Sequence, residues 1–153
     1  MSTAEDRLGA LGLTLPAVAQ PLAAYVPAVR TGSLVFTSGA LPFVGGTLVA
    51  TGKVGADITA EQAHDLARVC VLNALAAVKS VLGDLDHVVR VVKVVGFVAA
   101  DPSFTAVPQV VNGASELLAA AFGDAGAHAR SAVGVAVLPL DAPIEVELVV
   151  EVR

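Results

Sequence analysis

The spacing of apolar residues divides this chain into strands, where they alternate or run together, and helices, where they recur every three or four positions. The segment VRTGSLVFTSGALP predicts a hairpin with strands at Tyr25 to Arg30 and Leu34 to Gly39, joined by a turn at Thr31-Gly32-Ser33. A glycine-rich loop follows, with a short strand expected at Thr47 to Ala50. Before the hairpin we expect a short helix at Ala4 to Leu13 and then a proline-rich, extended lead-in.

Two longer segments have helical periodicity. The first begins at Thr59, which forms a capping-box pattern with Gln62, and is expected to end at Gly83. The second covers residues 103–123, with Pro108 in a first-turn position.

Three further segments are rich in β-branched residues. Residues 87–99 (HVVRVVKVVGFVA) predict a central strand covered on both faces. Residues 129–139 and 143–152 are expected to form a final hairpin across residues 140–142. The order β-β-(β)-α-β-α-β-β therefore predicts an α+β fold, with one sheet and two helices packed on one of its faces. Since no helix remains for the other face, we expect further copies of the chain to cover it.

Composition changes this picture little. A length of 153 residues predicts a single domain, with residues 1–24 as an N-terminal extension packed on it. The chain is 56% hydrophobic, yet no stretch reaches the ~20 apolar residues of a membrane span, and the first residues lack the basic character of a signal peptide. A single cysteine fits the cytoplasm, and a net charge of −5 disfavours nucleic acid as the partner.

Several candidate motifs are better explained as structural. GTLVATGKV has the wrong spacing for a phosphate loop, and Val54 stands where Ser or Thr is needed. The histidines lack metal-ligand spacing, so we interpret His64, His87 and His128 as structural and expect no metal. Cys70 lies on the apolar helix face and is interpreted as a buried hydrophobe.

Arg130 needs an explanation, because it opens a segment that otherwise predicts a buried strand, and burying an unpartnered guanidinium is costly. Strand alternation gives it the same side as Ala132, Gly134 and Ala136, so either a helix packs closely there or a cavity exists. A carboxylate partner at a strand end is the simplest structural alternative.

Glu145 is the obvious carboxylate, but the expected hairpin register places Arg130 nearer Glu151. Contact between Arg130 and Glu145 within one chain is therefore not expected. If both serve one site, an arrangement between subunits brings them together more naturally.

Four segments carry a resemblance to a known family: FTSGALP at 36–42, VKVVGFVAADPSF at 92–104, VVNGASE at 110–116 and ARSAVGVAVLPLDAPIEVE at 129–147. Together they resemble the RidA family, also called YjgF or endoribonuclease L-PSP, in one of its less characterised branches. The resemblance extends over nearly the whole chain beyond the N-terminal segment.

This resemblance implies a fold like that of chorismate mutase and a homotrimer with three clefts between subunits. It also implies hydrolysis of reactive 2-imino and 2-enamino acids to 2-oxo acids and ammonia, without a cofactor. Arg130 matches the arginine that grips the substrate carboxylate, and Glu145 the glutamate that positions or activates water. The other substrate-binding positions implied by the family are Tyr25, Ser38, Gly39 and, after a short insertion, Asn112.

This chain departs from the family pattern at one position, and the difference bears on which substrate it uses. Ala132 stands where characterised deaminases commonly have cysteine, two residues after the arginine. Alternatives to catalysis therefore stay open: binding or sensing of small carboxylates without turnover, and a purely structural or chaperone-like role. Ribonuclease activity is disfavoured by the acidic charge and by the lack of a nuclease constellation.

Overall fold

A computed structural model describes residues 3–21 and 23–153 of the protein. Five strands form one mixed sheet in the order β1-β2-β7-β5-β6, and β3 and β4 form a separate small hairpin. The helices are α1 (Ala4–Ala10), α2 (Ala60–Leu82) and α3 (Val107–Phe122). The strands are β1 (Ala28–Thr31), β2 (Leu34–Thr37), β3 (Phe43–Val44), β4 (Thr47–Leu48), β5 (Val88–Ala99), β6 (Ala129–Val135) and β7 (Ile144–Val152).

Strand β5 lies between the last two strands, so the expected final hairpin is wrong. β6 pairs with β5 in parallel, and β7 pairs with the other edge of β5 in the antiparallel sense. The physical reason is the order strand, helix, strand: α3 is the crossover that parallel strands require, and it places β6 beside β5. The link from β6 to β7 then has to cross β5 instead of turning back on itself.

The expected ends of α2 are confirmed, whereas α3 ends before Gly123 as expected but begins at Val107, four residues later than expected. The hydroxyl of Thr59 accepts from the backbone N–H of Gln62 at 3.1 Å, and the Gln62 side chain accepts from the backbone N–H of Thr59 at 2.9 Å. Gly83 caps α2 with a φ of 83°, and α3 has its proline in the first turn.

The first strand begins later than expected. Tyr25 lies in a bend before β1, because Pro27 has no N–H with which to enter the ladder, whereas Ala28 pairs with Thr37. The turn between β1 and β2 contains Gly32 with a φ of 57°, which a left-handed turn position favours.

Helices α2 and α3 cover one face of the sheet, as expected for this fold. The fully buried residues on that face of the sheet are Val35, Val91, Val94, Val98, Ile144, Val146, Leu148 and Val150. Cys70 is also fully buried, which confirms its interpretation as a core residue. No helix of residues 3–21 and 23–153 is long and apolar enough to span a membrane.

The opposite face of the sheet exposes large apolar side chains. Val29 and Phe36 pair across β1 and β2, and both are about half exposed, as is Val133 of β6. The helix α1 does not cover this face, because it packs on α3, where Leu8 is buried and Glu5 bonds Lys79 of α2 at 2.8 Å. Large apolar side chains left exposed on one face of a sheet are typical of a protein–protein interface.

Two glycines allow α3 to lie close to its neighbours. A Cβ at Gly96 of β5 would lie 2.6 Å from a methyl of Val111, and a Cβ at Gly113 would collide with the backbone carbonyl of His64 in α2. The backbone of α3 is thereby held at short distance from both the sheet and α2.

We predict that Gly113→Ala destabilises the protein by about 1–3 kcal/mol, because α2 and α3 must separate to admit the methyl group. Urea unfolding measures the change. Gly9→Ala is the matched control, because that helical position has no atom within 4 Å of the added Cβ, and it should be neutral or slightly stabilising. An equal effect of the two substitutions would contradict the close approach at Gly113.

Candidate functional site

Arg130 projects from β6 toward α3, where hydrogen bonds replace part of its lost hydration. Its Nη1 donates to Asn112 Oδ1 at 2.8 Å and to Ser115 Oγ at 3.2 Å. Its Nη2 donates to the carbonyl oxygen of Pro108 at 3.4 Å. Within the described residues no carboxylate lies within salt-bridge distance of Arg130, so the partner at this strand end is a helix and not an acid.

These three bonds leave one edge of the guanidinium unused. An arginine side chain has five N–H donors, and Nη1 and Nη2 together use three of them. The N–H of Nε and the second N–H of Nη2 have no acceptor among residues 3–21 and 23–153. These two hydrogens lie side by side, which is the geometry that binds a carboxylate through both oxygens. Arg130 is therefore held by one edge and available at the other.

The positions of Asn112 and Ser115 follow from helix geometry. They are three residues apart, so they lie on one face of α3 and can reach the same guanidinium. Small side chains on the Arg130 side of β6 allow this approach, since Ala132 packs against the core and a Cβ at Gly134 would be 3.7 Å from Val107. Arg130, Asn112 and Ser115 form what we call the arginine half-site.

A cavity of about 100 Å³ is lined by the predicted site residues other than Arg130 and Asn112. Tyr25, Ser38, Gly39 and Glu145 all line it, and we call this set the glutamate half-site. The remaining lining residues come from the N-terminal segment, from the loop after Gly39, from α2 and from the link before β7; they are Val18, Ala19, Gln20, Pro21, Pro27, Ala40, Leu41, Phe43, Asn73, Ala74, Ala77 and Pro139.

Backbone contacts hold the loop at Ser38 and Gly39 in place. The Ser38 hydroxyl donates to the carbonyl of Val26 at 2.6 Å, and its backbone N–H donates to the carbonyl of Pro27 at 2.8 Å. Gly39 contacts the Glu145 side chain so closely that a Cβ there would collide with the carboxylate. Glycine at this position therefore makes room for the glutamate.

Glu145 is half-buried, and its environment favours the neutral form. Burial raises the pKa of its carboxyl above the ordinary 4.5, and the nearby charge of Glu147 raises that pKa further. A carboxylate with a raised pKa is a stronger base, which suits a group that takes a proton from water. Burial, and next the charge of Glu145, raise the pKa of the Cys70 thiol well above its usual range, so this cysteine is inert.

The sheet keeps the two half-sites of one chain apart. Arg130 pairs with Val94 of β5, and Glu145 pairs with Phe97 on the opposite edge of the same strand. Residues 94 and 97 of one strand point to opposite faces, and residues paired across a ladder share a face. Arg130 therefore lies on the helix side and Glu145 on the open side, so one chain does not bring them together.

Comparison with known proteins agrees with the resemblance seen in the sequence. The model of the family described as "YjgF/chorismate_mutase-like, putative endoribonuclease" matches residues 5–152. The chain belongs to this YjgF family. Its α+β architecture, with a mixed sheet, is that of the family.

Individual members of the YjgF family and other relatives are similar over most of their length. Protein TCP17 of Trypanosoma cruzi is 46% identical over 146 residues, which are 94% of this chain and 90% of that protein. The crystal structure of the protein Atu1372 of Agrobacterium tumefaciens is 44% identical, with a TM-score of 0.92 over 99% of this chain and 94% of that one. The structure of Escherichia coli TdcF with bound serine is 26% identical, with a TM-score of 0.64 over 92% of this chain and 95% of that one.

The structure of this YjgF-family protein adds residues that the sequence did not single out. Ser115 bonds Arg130, and its spacing of three residues from Asn112 was the available signal. The wall formed by the N-terminal segment at Val18 to Pro21 had no sequence signal, because nothing in an extended, apolar segment indicates what it packs against. No group of three or more metal-binding side chains occurs in the described part of the chain.

We predict that Glu147→Gln lowers the pKa of Glu145, because it removes one of the two causes that raise that pKa. The Glu145 carboxyl of a site-labelled protein can be titrated by NMR. The control is Glu151→Gln, which changes the same charge near the end of β7 and should have a smaller effect. If Glu147→Gln left the pKa of Glu145 unchanged or raised it, the electrostatic explanation would be wrong.

Proposed function

We propose that this protein hydrolyses small 2-imino and 2-enamino acids to 2-oxo acids and ammonia, in clefts between the subunits of a homotrimer. In each cleft the arginine half-site of one subunit faces the glutamate half-site of the next. The observation that carries this proposal is the separation of the two half-sites within one chain. The arginine half-site has the group that binds a carboxylate, the glutamate half-site has the base, and neither has both. The sheet face with exposed apolar side chains offers a surface on which subunits associate.

The substrate carboxylate binds the unused edge of Arg130. The Nε and Nη2 hydrogens each donate to one carboxylate oxygen, and Asn112 and Ser115 keep the guanidinium in that orientation. A 2-enamino acid first becomes the 2-imino acid, as C3 takes a proton and the nitrogen loses one. The imine carbon, C2, is then fixed beside the bound carboxylate.

Glu145 supplies the base. Its carboxylate accepts a proton from a water molecule, whose oxygen forms a bond to C2 while the imine nitrogen takes a proton from solvent. The resulting tetrahedral carbon carries a hydroxyl and an amino group. Glu145 returns its proton to the amino nitrogen, the C2–N bond breaks, and ammonia leaves as the hydroxyl releases its proton to solvent and becomes the carbonyl of the 2-oxo acid. The overall change consumes one water per imine, and neither a thiol nor a cofactor takes part.

Two further observations support this assignment. The similar protein TdcF was crystallised with serine, an amino acid whose carboxylate is the group that Arg130 is arranged to bind. In this chain Ala132 packs against the core, so the position that often holds cysteine in characterised relatives has a packing role and supplies no step of the mechanism.

We predict that the protein accelerates pyruvate release when a serine dehydratase generates 2-aminoacrylate. Arg130→Ala should lower kcat/KM by about 100-fold through loss of the charged contact. Glu145→Gln should lower kcat by about 100-fold or more through loss of the base. Pyruvate formation is followed with lactate dehydrogenase.

Arg68→Ala is the control for this measurement, because it removes an arginine of α2 that lies outside both half-sites. Failure of the wild type to accelerate pyruvate release, or full activity of Arg130→Ala, would contradict the proposal. Binding of 2-oxobutanoate by calorimetry without any turnover would instead indicate the non-catalytic role in which Arg130 still binds a carboxylate.

A further inference from the structure

A series of hydrogen bonds continues from Arg130 through Ser115 to His128 and Gly126, two residues that the mechanism does not use. Ser115 Oγ, which accepts from Arg130 Nη1, lies 2.9 Å from Nε2 of His128. Nδ1 of the same imidazole lies 2.6 Å from the carbonyl oxygen of Gly126. His128 therefore has a hydrogen-bond partner at each of its two ring nitrogens.

The chemistry of the partners determines which atom donates and which accepts in each of these hydrogen bonds. The carbonyl oxygen of Gly126 can only accept, so Nδ1 of His128 carries a hydrogen. In the neutral imidazole Nε2 is then an acceptor, and the hydroxyl of Ser115 must donate to it. With its hydrogen directed at His128, Ser115 presents its lone pairs to Arg130 Nη1. Without that acceptor, the hydroxyl could turn its hydrogen toward the guanidinium, where it would oppose the Arg130 bond.

Gly126, at the far end of this series of hydrogen bonds, packs on α3, the helix that also carries Ser115. Gly126 is buried, and a Cβ there would lie 2.8 Å from the carbonyl carbon of Leu118 and 3.0 Å from Ala119 Cα, so its backbone is packed directly on α3. Ser115 and Asn112 also belong to α3. The imidazole thus bridges α3 and a turn that packs directly on α3, so both of its hydrogen-bond partners are positioned by the helix that also holds the guanidinium.

We propose that His128 is a positioning residue for Arg130. It acts through Ser115, by keeping the hydroxyl of that serine in the orientation that accepts from Nη1. This inference rests on the proposed function only for the identity of the carboxylate ligand. The orientation of the guanidinium is a property of the protein alone and can be measured without any ligand.

The first test uses NMR of the guanidinium in the ligand-free, full-length protein. Rotation about the Cζ–Nη1 bond of Arg130 should be slow in the wild type, because both Nη1 hydrogens are bonded. We expect that rotation to be about tenfold faster in His128→Leu and in Ser115→Ala, and restored in Ser115→Thr, which keeps a hydroxyl. His64→Leu is the matched control, because His64 also bonds a side chain of α3, that of Glu116, but not the Arg130 chain. Unchanged rotation in His128→Leu would overturn the proposal.

The second test measures binding of 2-oxobutanoate by calorimetry and the kinetics with 2-aminoacrylate. His128→Leu should weaken the affinity and raise KM by about tenfold while kcat stays within about twofold, since the base is untouched. In the Arg130→Ala background, His128→Leu should cause no further loss of affinity, because its effect passes through that arginine.

The results separate a positioning role from a structural one. If His128→Leu lowered affinity equally in the wild-type and Arg130→Ala backgrounds, His128 would only stabilise the turn at Gly126, and the proposal would be wrong. If the protein bound and turned over neither probe, the proposed function would fail, while the rotation measurement would still decide the role of His128.

Discussion

The position of β5 between β6 and β7 is the constraint from which the functional arrangement follows. It makes Arg130 and Glu145 project from opposite faces of one sheet, although their pairing partners on β5, Val94 and Phe97, are only three positions apart. A site that uses both side chains must then be completed by a second copy of the chain. On the open face, Val29, Phe36 and Val133 are exposed apolar side chains that the association we propose would cover. In the function that we propose, assembly and chemistry both follow from this strand order.

On the helix side, the cost of burying an arginine is offset by α3. Gly96 and Gly113 allow the helix to approach the sheet and α2, and the approach brings Asn112 and Ser115 within hydrogen-bond distance of the guanidinium. Because these acceptors are neutral, the positive charge of Arg130 is not cancelled by a protein carboxylate and remains available to an anionic ligand. A salt bridge at this position would have stabilised the arginine and blocked its binding edge.

Much of the fold could be predicted from local signals. The capping box at Thr59 and Gln62, the proline at the start of α3 and the apolar periodicities all reflect interactions within a few residues, and the structure confirms them. The expected pairing of β6 with β7 is wrong, because the helix between β5 and β6 brings those two strands together in parallel. The expected start of β1 is also wrong, because Pro27 has no N–H to donate to the ladder and the strand begins at Ala28.

The candidate site, like the fold, could be predicted from the sequence only in part. Resemblance pointed to Arg130 and Glu145, and the expectation that they do not meet in one chain agrees with the structure, although the hairpin register behind it was wrong and the separation comes from β5. The wall at Val18 to Pro21 and the bond from Ser115 to His128 depend on contacts between distant segments. No local pattern specifies such contacts, so they became visible only in the folded chain.

The most direct measurement is complementation between two inactive variants. Arg130→Ala and Glu145→Gln chains are co-expressed with different tags, and the mixed oligomers that carry both tags are purified and assayed for pyruvate release from 2-aminoacrylate. If each cleft takes its arginine from one subunit and its glutamate from the next, every mixed trimer has one intact cleft, and activity should return to about one third of the wild-type value. If mixed oligomers were no more active than either parent, Arg130 and Glu145 would not share a site across subunits.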